Sequence, residues 1–494
     1  MKTKFLFFIV LLYAFKANAS ELIDGIQYNL NNSNYTAHVT GWSYQDSNIT
    51  IPETIQYDGN SYIVTSLDTG AFMFSVNLVS VSLPCSVTHI GSLAFAHCTS
   101  LTSIELPEGL ESIGRHAFEG CSNLSYIKIP KSLIKMGDED TSPHYTYNQW
   151  GEVGGADYYN GLFPECPKLS TIIVEGGNPR YDSRDNCNAI IVTATNTLVC
   201  GGNNTTIPNS VTNIGIHAFS YCDIENITLP NSLKVIESYA FYCCGRLNSI
   251  TISNGVTSIG EYAFYYCTQL SSIEIPDNVT EIGESAFCEC SNLTSVTIGN
   301  GITQIKYNTF SNTKISSIEI PQNVESIGNA AFRSCKEISE VIFHEVLRTI
   351  CSFAFDKSDK YINVILPSTI STIGDCAFTG EMDKNITCYA EKVPQAYSKP
   401  FRNSSTGKPY ATILTVPDVA MHEYARTYPW NQFKAIRGFS GETIDPVGIT
   451  STFYDANTHD ITRYSIDGRR LEHPQKGLNI IRLSDGTVKK VMER

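Results

Sequence analysis

No catalytic signature runs through this sequence. It has no Gly-x-Ser-x-Gly elbow, no His-Glu-x-x-His pair and no glycine-rich loop closing on Lys and Ser or Thr, which removes the motif-level case for a serine hydrolase, a zinc protease or a P-loop nucleotide binder. The 10 histidines scatter, and no pair stands at zinc-ligand spacing, so neither a metal nor any other cofactor is expected. Charged residues are scarce at 17% against 42% hydrophobic, a balance that excludes a disordered chain. Positive charge is in deficit: 35 Lys and Arg face 49 Asp and Glu, for a net charge of −14. Such a chain repels phosphate backbones, which excludes nucleic acid as a partner. Long apolar runs are also missing. The longest, Phe5 to Phe15, is too short to cross a bilayer. With Lys2 and Lys4 before it and Ala17-Asn18-Ala19 after it, that run predicts a secretory signal over 1–19 cleaved after Ala19, hence an exported chain. Ser20 rather than Cys follows the predicted cut, so a lipidated N-terminal cysteine is not indicated.

What the sequence has in abundance is a repeat. At 494 residues one ordinary core is too small an answer, and the alternatives are several domains or one stack of similar units. Twelve phenylalanines fall in register: Phe72, Phe95, Phe118, Phe163, Phe219, Phe241, Phe264, Phe287, Phe310, Phe332, Phe355 and Phe378. Every interval is 22 or 23 residues except two, and most of these rings follow Ala. An Ile-Gly or similar pair lies four to five residues upstream, as in Ile259-Gly260. Ile273-Glu274-Ile275 alternates as a half-buried strand does, and Pro276 ends it. Gly260 and its equivalents mark a turn intolerant of a side chain or of ordinary φ. A single coil cannot cover its own Ala, Phe and Leu, whereas stacked coils share one core, so the pattern predicts a solenoid.

The unit from Ile275 through Pro276, Val279, Thr280, Ile282, Gly283, Ala286 and Phe287 to Cys290, Asn292 and Leu293 resembles the repeat of the BspA-like leucine-rich-repeat family of bacterial surface proteins. The phrase recurs nearly verbatim from Ile63 to Pro367. The resemblance implies an α+β to β-rich solenoid, a right-handed coil of about twelve 23-residue repeats with parallel strands, capped at both ends and followed by a small β-rich tail. It also implies a non-enzymatic protein at the cell surface or secreted from it, binding a host matrix protein or a bacterial surface protein.

The expected organisation is a β-rich N-terminal cap over 20–62, the solenoid over 63–380, a C-terminal cap over 381–440 and a tail over 441–494. The tail resembles the β-rich sorting modules of two-membraned bacteria; a unit that simply covers the solenoid end is the other reading. Two insertions break the period, at about 138–161 and 176–205. The first carries Tyr145, Tyr147, Trp150, Tyr158 and Tyr159, which serve either as an aromatic glycan-binding loop or as rings packed on the solenoid flank. The second reads as a hairpin of Ala189 to Val192 with Thr197 to Val199.

Of 16 cysteines, eight stand three residues after a register Phe: Cys98, Cys121, Cys166, Cys222, Cys244, Cys267, Cys290 and Cys335. Thr313 and Ser358 take the same slot, which reads as a slot of size and burial filled by free thiols. Neighbouring coils hold such sulfurs about 5 Å apart, too far for a disulfide. Cys187 and Cys200 flank the hairpin and are the one candidate pair. His89, His116 and His217 fall on coil turns and are expected in solvent. The outward strand positions form the one extended candidate surface: Ser103, Glu105, Lys128, Asn226, Thr228, Ser249, Thr251, Ser272, Glu274, Ser295, Thr297, Ser317 and Glu319. Glu105, Lys128, Thr251, Glu274, Thr297 and Glu319 are the residues expected to touch a ligand there; a bare solvated sheet face is the other reading.

Overall fold

Alternation of covered and open side chains gives each coil a short strand. In Ser272–Ile275 the two isoleucines are buried while Ser272 and Glu274 face solvent, as a strand with one covered face requires. The computed structural model describes residues 20–42, 47–137, 163–361, 363–380, 384–397, 399–401 and 412–444, together with the backbone of strands at 144–147, 153–157, 460–465, 470–471, 477–483 and 488–493. The expected leader and its cut lie outside the described residues. The chain forms two compact units, 1–268 and 269–494.

Within each unit the coils stack through three hydrogen-bonded ladders. The first joins the longer strands in parallel, as in Ser103–Glu105, Tyr126–Ile129 and Thr171–Val174 of the first unit. Asn385–Cys388, Ile413–Val416 and Ala435–Gly438 do the same in the second. Two-residue strands make the next ladder: Ser66 and Leu67 pair with His89 and Ile90, then Ser112 and Ile113, then Lys135 and Met136. The last ladder is made of turns. The N–H groups of Leu93, Phe95 and His97 donate to the carbonyls of Arg115, Ala117 and Glu119 at 2.9, 2.8 and 2.6 Å. Ala330, Phe332 and Ser334 repeat this toward Ser352, Ala354 and Asp356. To aim these groups along the stack, the residues two before and two after the register Phe take the left-handed conformation, with φ of 59° at Leu93 and at His97. For a side chain bearing Cβ this costs on the order of 1 kcal/mol, offset by the coil-to-coil bond and the buried ring between them.

All twelve register rings are buried. In the first unit Phe72, Phe95, Phe118 and Phe163 stack at 5.3 to 5.4 Å, and Phe219, Phe241 and Phe264 at 5.1 Å. In the second unit the column runs from Phe287 to Phe378 and on to Phe401 at 5.6 Å. Between Phe163 and Phe219 the column is broken by the hairpin of Ala189–Val192 with Thr197–Gly201. Gly201 there donates its N–H to Ala218 O at 2.8 Å, the bond a register Phe makes elsewhere. A Cβ on Gly201 would lie 2.1 Å from a Phe219 ring carbon, so glycine lets backbone replace a ring.

Among the described residues the coils of the two units number about 16 rather than twelve. Asn48–Thr50 is already a coil strand, parallel to Ser80–Ser82, and the strands at 385–388, 413–416 and 435–438 continue the ladder. These turns carry no Ala-Phe phrase, so a phenylalanine count misses them. Helix is almost absent: the described residues hold one α-helix, Met421–Arg426. An antiparallel meander, Glu21–Ile23, Ile26–Asn31 and Thr36–Trp42, precedes the first coils, and its Trp42 indole donates to Ser75 Oγ at 2.8 Å. Near the other end Trp430 is fully buried, and its indole donates to Pro394 O at 2.8 Å. The strands at 460–465, 470–471, 477–483 and 488–493 form a separate antiparallel sheet.

Gly260 departs from expectation in one respect. Its φ is not left-handed; a Cβ there would stand 2.3 Å from the Ser238 backbone nitrogen of the preceding coil. Close approach, not φ, demands glycine.

Candidate ligand-binding surface

The longer strands display a registered file of exposed side chains. In the first unit Ser103 is level with Tyr126 and Thr171, and Glu105 with Lys128 and Ile173. Asn226 is level with Ser249, and Thr228 with Thr251. In the second, Ser272 and Glu274 are level with Ser295 and Thr297, and Ser317 and Glu319 with Glu340 and Ile342. Each of Glu105, Lys128, Thr251, Glu274, Thr297 and Glu319 is exposed. Neighbours within the file engage one another: Ser249 Oγ donates to Asn226 Oδ1 at 2.7 Å, Lys128 Nζ lies 3.3 Å from Glu175, and His344 Nε2 lies 3.0 Å from Glu319. Glu108 also reaches Glu175, and sharing a hydrogen bond between two carboxyls raises its pKa above the ordinary glutamate value. The result is a polar sheet face with little net charge at any point.

Apolar side chains interrupt this file where the outward positions were not singled out. Ile342 is 45% exposed and Ile365 is 55% exposed. Their signal was present, since Val341-Ile342 and Val364-Ile365 put a second apolar residue beside the buried one. Further along the second unit Thr387, Thr415 and Arg437 occupy the same outward column as Ile365. There a depression of about 460 Å³ opens among Asn385, Thr387, Thr412, Thr415, Lys434 and Arg437.

The first insertion pairs His144–Tyr147 with Val153–Asp157 as an antiparallel hairpin. Tyr145 and Tyr147 sit on its first strand; Trp150, Tyr158 and Tyr159 lie outside the described residues. A different aromatic cluster emerges on the turn limb of the first unit. Tyr239 stacks on Tyr262 at 5.0 Å and Tyr242 on Tyr265 at 5.2 Å, both within 8° of parallel. Tyr221 meets Tyr242 edge-on, and Tyr266 is 49% exposed. The stacked rings turn faces toward one another along the stack. Repetition of Tyr beside Phe in Tyr239-Ala240-Phe241-Tyr242 and Tyr262-Ala263-Phe264-Tyr265 was the available signal.

One expectation about side chains needs correction, and a second gains a hydrogen bond. His217 is not solvated: it is 7% exposed, its Nδ1 lies 2.7 Å from Ser220 Oγ, and its ring stacks on Tyr239 at 4.7 Å. Burial, reinforced by nearby His116, holds its pKa down to about 3. His116 is itself half-covered, 3.0 Å from Glu119; only His89 of the three is open to solvent. The cysteine slot, in turn, is a donor slot. Sγ of Cys98, Cys121, Cys166 and Cys267 donates to the preceding coil's Phe carbonyl at 3.1 to 3.2 Å, and Ser358 Oγ makes the same bond to Phe332 O at 3.1 Å. All 16 cysteines are free thiols, Cys187 and Cys200 included; burial pushes Cys98 up to about 12 and Cys187 to about 11. Among the described residues no group of three His, Cys, Asp or Glu is placed to hold a metal ion, and no helix is long and apolar enough to cross a membrane.

The model of the BspA type leucine-rich repeat region matches six copies, over residues 65–140, 199–315 and 303–408, more than half of the chain. The chain belongs to that family. Its stacked-strand fold is shared with a leucine-rich repeat protein of Eubacterium ventriosum, 22% identical, with a TM-score of 0.50 over 73% of this chain and 95% of the other. A leucine-rich repeat protein of Bacteroides ovatus is 24% identical over 85% and 99% of the two chains, with a TM-score of 0.41. A leucine-rich cell surface protein of Faecalibacterium prausnitzii is 23% identical over 72% and 91%, with a TM-score of 0.43. The comparison with curated proteins returns no match.

Proposed function

We propose that this BspA-type repeat protein is an exported, non-catalytic surface protein that binds another protein through the outward file of its longer strands. The observation that carries this reading is the register itself. Because parallel pairing holds Glu274 level with Thr297, and Glu105 with Lys128, outward side chains recur at about 4.8 Å intervals on a rigid backbone. A preordered array loses little entropy on binding, which favours affinity from many modest contacts. Family membership supports a surface binding role, and the leader read from residues 1–19 supports export.

The mature chain, screened by biolayer interferometry against matrix proteins and bacterial surface proteins, tests the proposal. With a ligand in hand, Glu105→Lys, Thr251→Arg, Glu274→Lys, Thr297→Arg and Glu319→Lys are expected to weaken binding while leaving the melting temperature in place. Unchanged binding in those variants, with loss on replacing Tyr145, Tyr147, Trp150, Tyr158 and Tyr159 by Ala, would move recognition to the first insertion and end this reading.

A further inference from the structure

We infer that the depression at Lys434 and Arg437 is an anchor site for an acidic, extended peptide segment whose aliphatic side chain rests on Ile365. This rests on the strand-face reading above and specifies the chemistry of the partner. The chain carries a net charge of −14, yet here two cations line one opening of about 460 Å³ with no carboxylate among its walls. Other cations of the molecule are met by acids, as Lys128 is by Glu175 and Lys360 by Glu337. Among the described residues, no acid lies within ion-pair reach of Lys434 or Arg437. Of the remaining walls, Asn385, Thr387, Thr412 and Thr415 supply amide and hydroxyl groups, partners for a carboxylate or for peptide backbone, and Ile386 and Ile413 complete the lining. Arg437 presents a planar fork suited to a bidentate carboxylate.

The column that runs from Arg437 to Ile365 decides between a peptide and a generic polyanion. Arg437 is level with Thr415, Thr415 with Thr387, and Thr387 with Ile365. Three strand spacings separate the guanidinium column position from Ile365, about 14 Å, which an extended chain crosses in about four residues. The exposed isoleucine at that reach, Ile365, has nothing to offer a sulfated or carboxylated sugar chain but suits a Leu, Val or Phe side chain. Arginine beside apolar contacts is also the composition of protein-binding hot spots.

Fluorescence anisotropy with a labelled synthetic peptide, two aspartates followed about four residues on by two leucines, provides the test on the mature chain. Binding is expected to weaken about tenfold or more in Lys434→Glu with Arg437→Glu, to weaken when the peptide's aspartates become asparagines, and to weaken in Ile365→Ser. Glu261→Lys, an exposed position on the turn limb away from the strand face, should leave it unchanged. All four substituted positions are exposed, so equal melting temperatures are expected and separate binding from folding. Binding insensitive to Arg437→Glu overturns the inference, as does dextran sulfate binding as tightly as the peptide and indifferent to Ile365→Ser. Loss of a screened protein ligand on the strand-face substitutions, with no peptide binding, refutes this site alone; retention of that ligand in those variants refutes the broader reading instead.

Discussion

At the scale of single residues, position in the repeat does not by itself reveal environment. His116 and His217 both stand two residues before a register Phe, and Leu93, Tyr239 and Tyr262 hold the same slot. Which of these is covered depends on the ring that the next coil lays over it, and for His217 that ring is Tyr239. The consequence is measurable. The folded pKa near 3 lies below the ordinary 6.5, so the unfolded chain takes up the proton first as pH falls. His217 therefore withdraws stability on acidification: its contribution is complete above pH 6.5 and erodes toward pH 3, by up to about 1.4 kcal/mol per pH unit. Urea midpoints of the natural chain and of His217→Gln, taken at intervals from pH 7 to pH 4, should converge as the pH drops. Two parallel curves would show that the imidazole protonates freely in the folded state.

At the scale of the coil, strict repetition makes some features readable and leaves others hidden. Phenylalanine, Ala and Leu recur at fixed offsets because every coil must fill the same volume, which is why the ring column was legible. The turn ladder was not, because its left-handed positions hold Leu, His, Tyr, Ser and Ala with no common chemistry; the requirement falls on backbone alone. Coils at 385–388, 413–416 and 435–438 were legible only as a C-terminal cap, because Pro400-Phe401 and Trp430 replace the usual phrase. The cysteine slot was half legible: size was plain, the hydrogen bond was not. Since Cys267 Sγ donates to Phe241 O at 3.2 Å and Ser358 makes the same bond naturally, Cys267→Ser should be the milder change and Cys267→Ala the harsher, by about 1 kcal/mol. A slot of size alone predicts the opposite order, because a buried hydroxyl without a partner costs more than a methyl. Chemical denaturation of the two variants distinguishes these orders.

At the scale of the whole molecule, stability in a stack is a sum over neighbours. Phe95 has no exposed surface and touches Phe72 at 5.3 Å and Phe118 at 5.4 Å; its N–H bonds forward to Ala117 O, while its coil accepts the Phe72 N–H at Ala94 O. Phe95→Ala removes both ring contacts, at a cost of about 3–5 kcal/mol, and these bonds link only adjacent coils. Amide exchange followed by mass spectrometry should therefore quicken at the coils of Phe72, Phe95 and Phe118 and hardly at those of Phe310, Phe332 and Phe355. Phe332→Ala should produce the mirror result in the second unit. If either substitution accelerates exchange evenly from the first strands to the last, the molecule unfolds as one cooperative body, and stability is not a sum over adjacent coils.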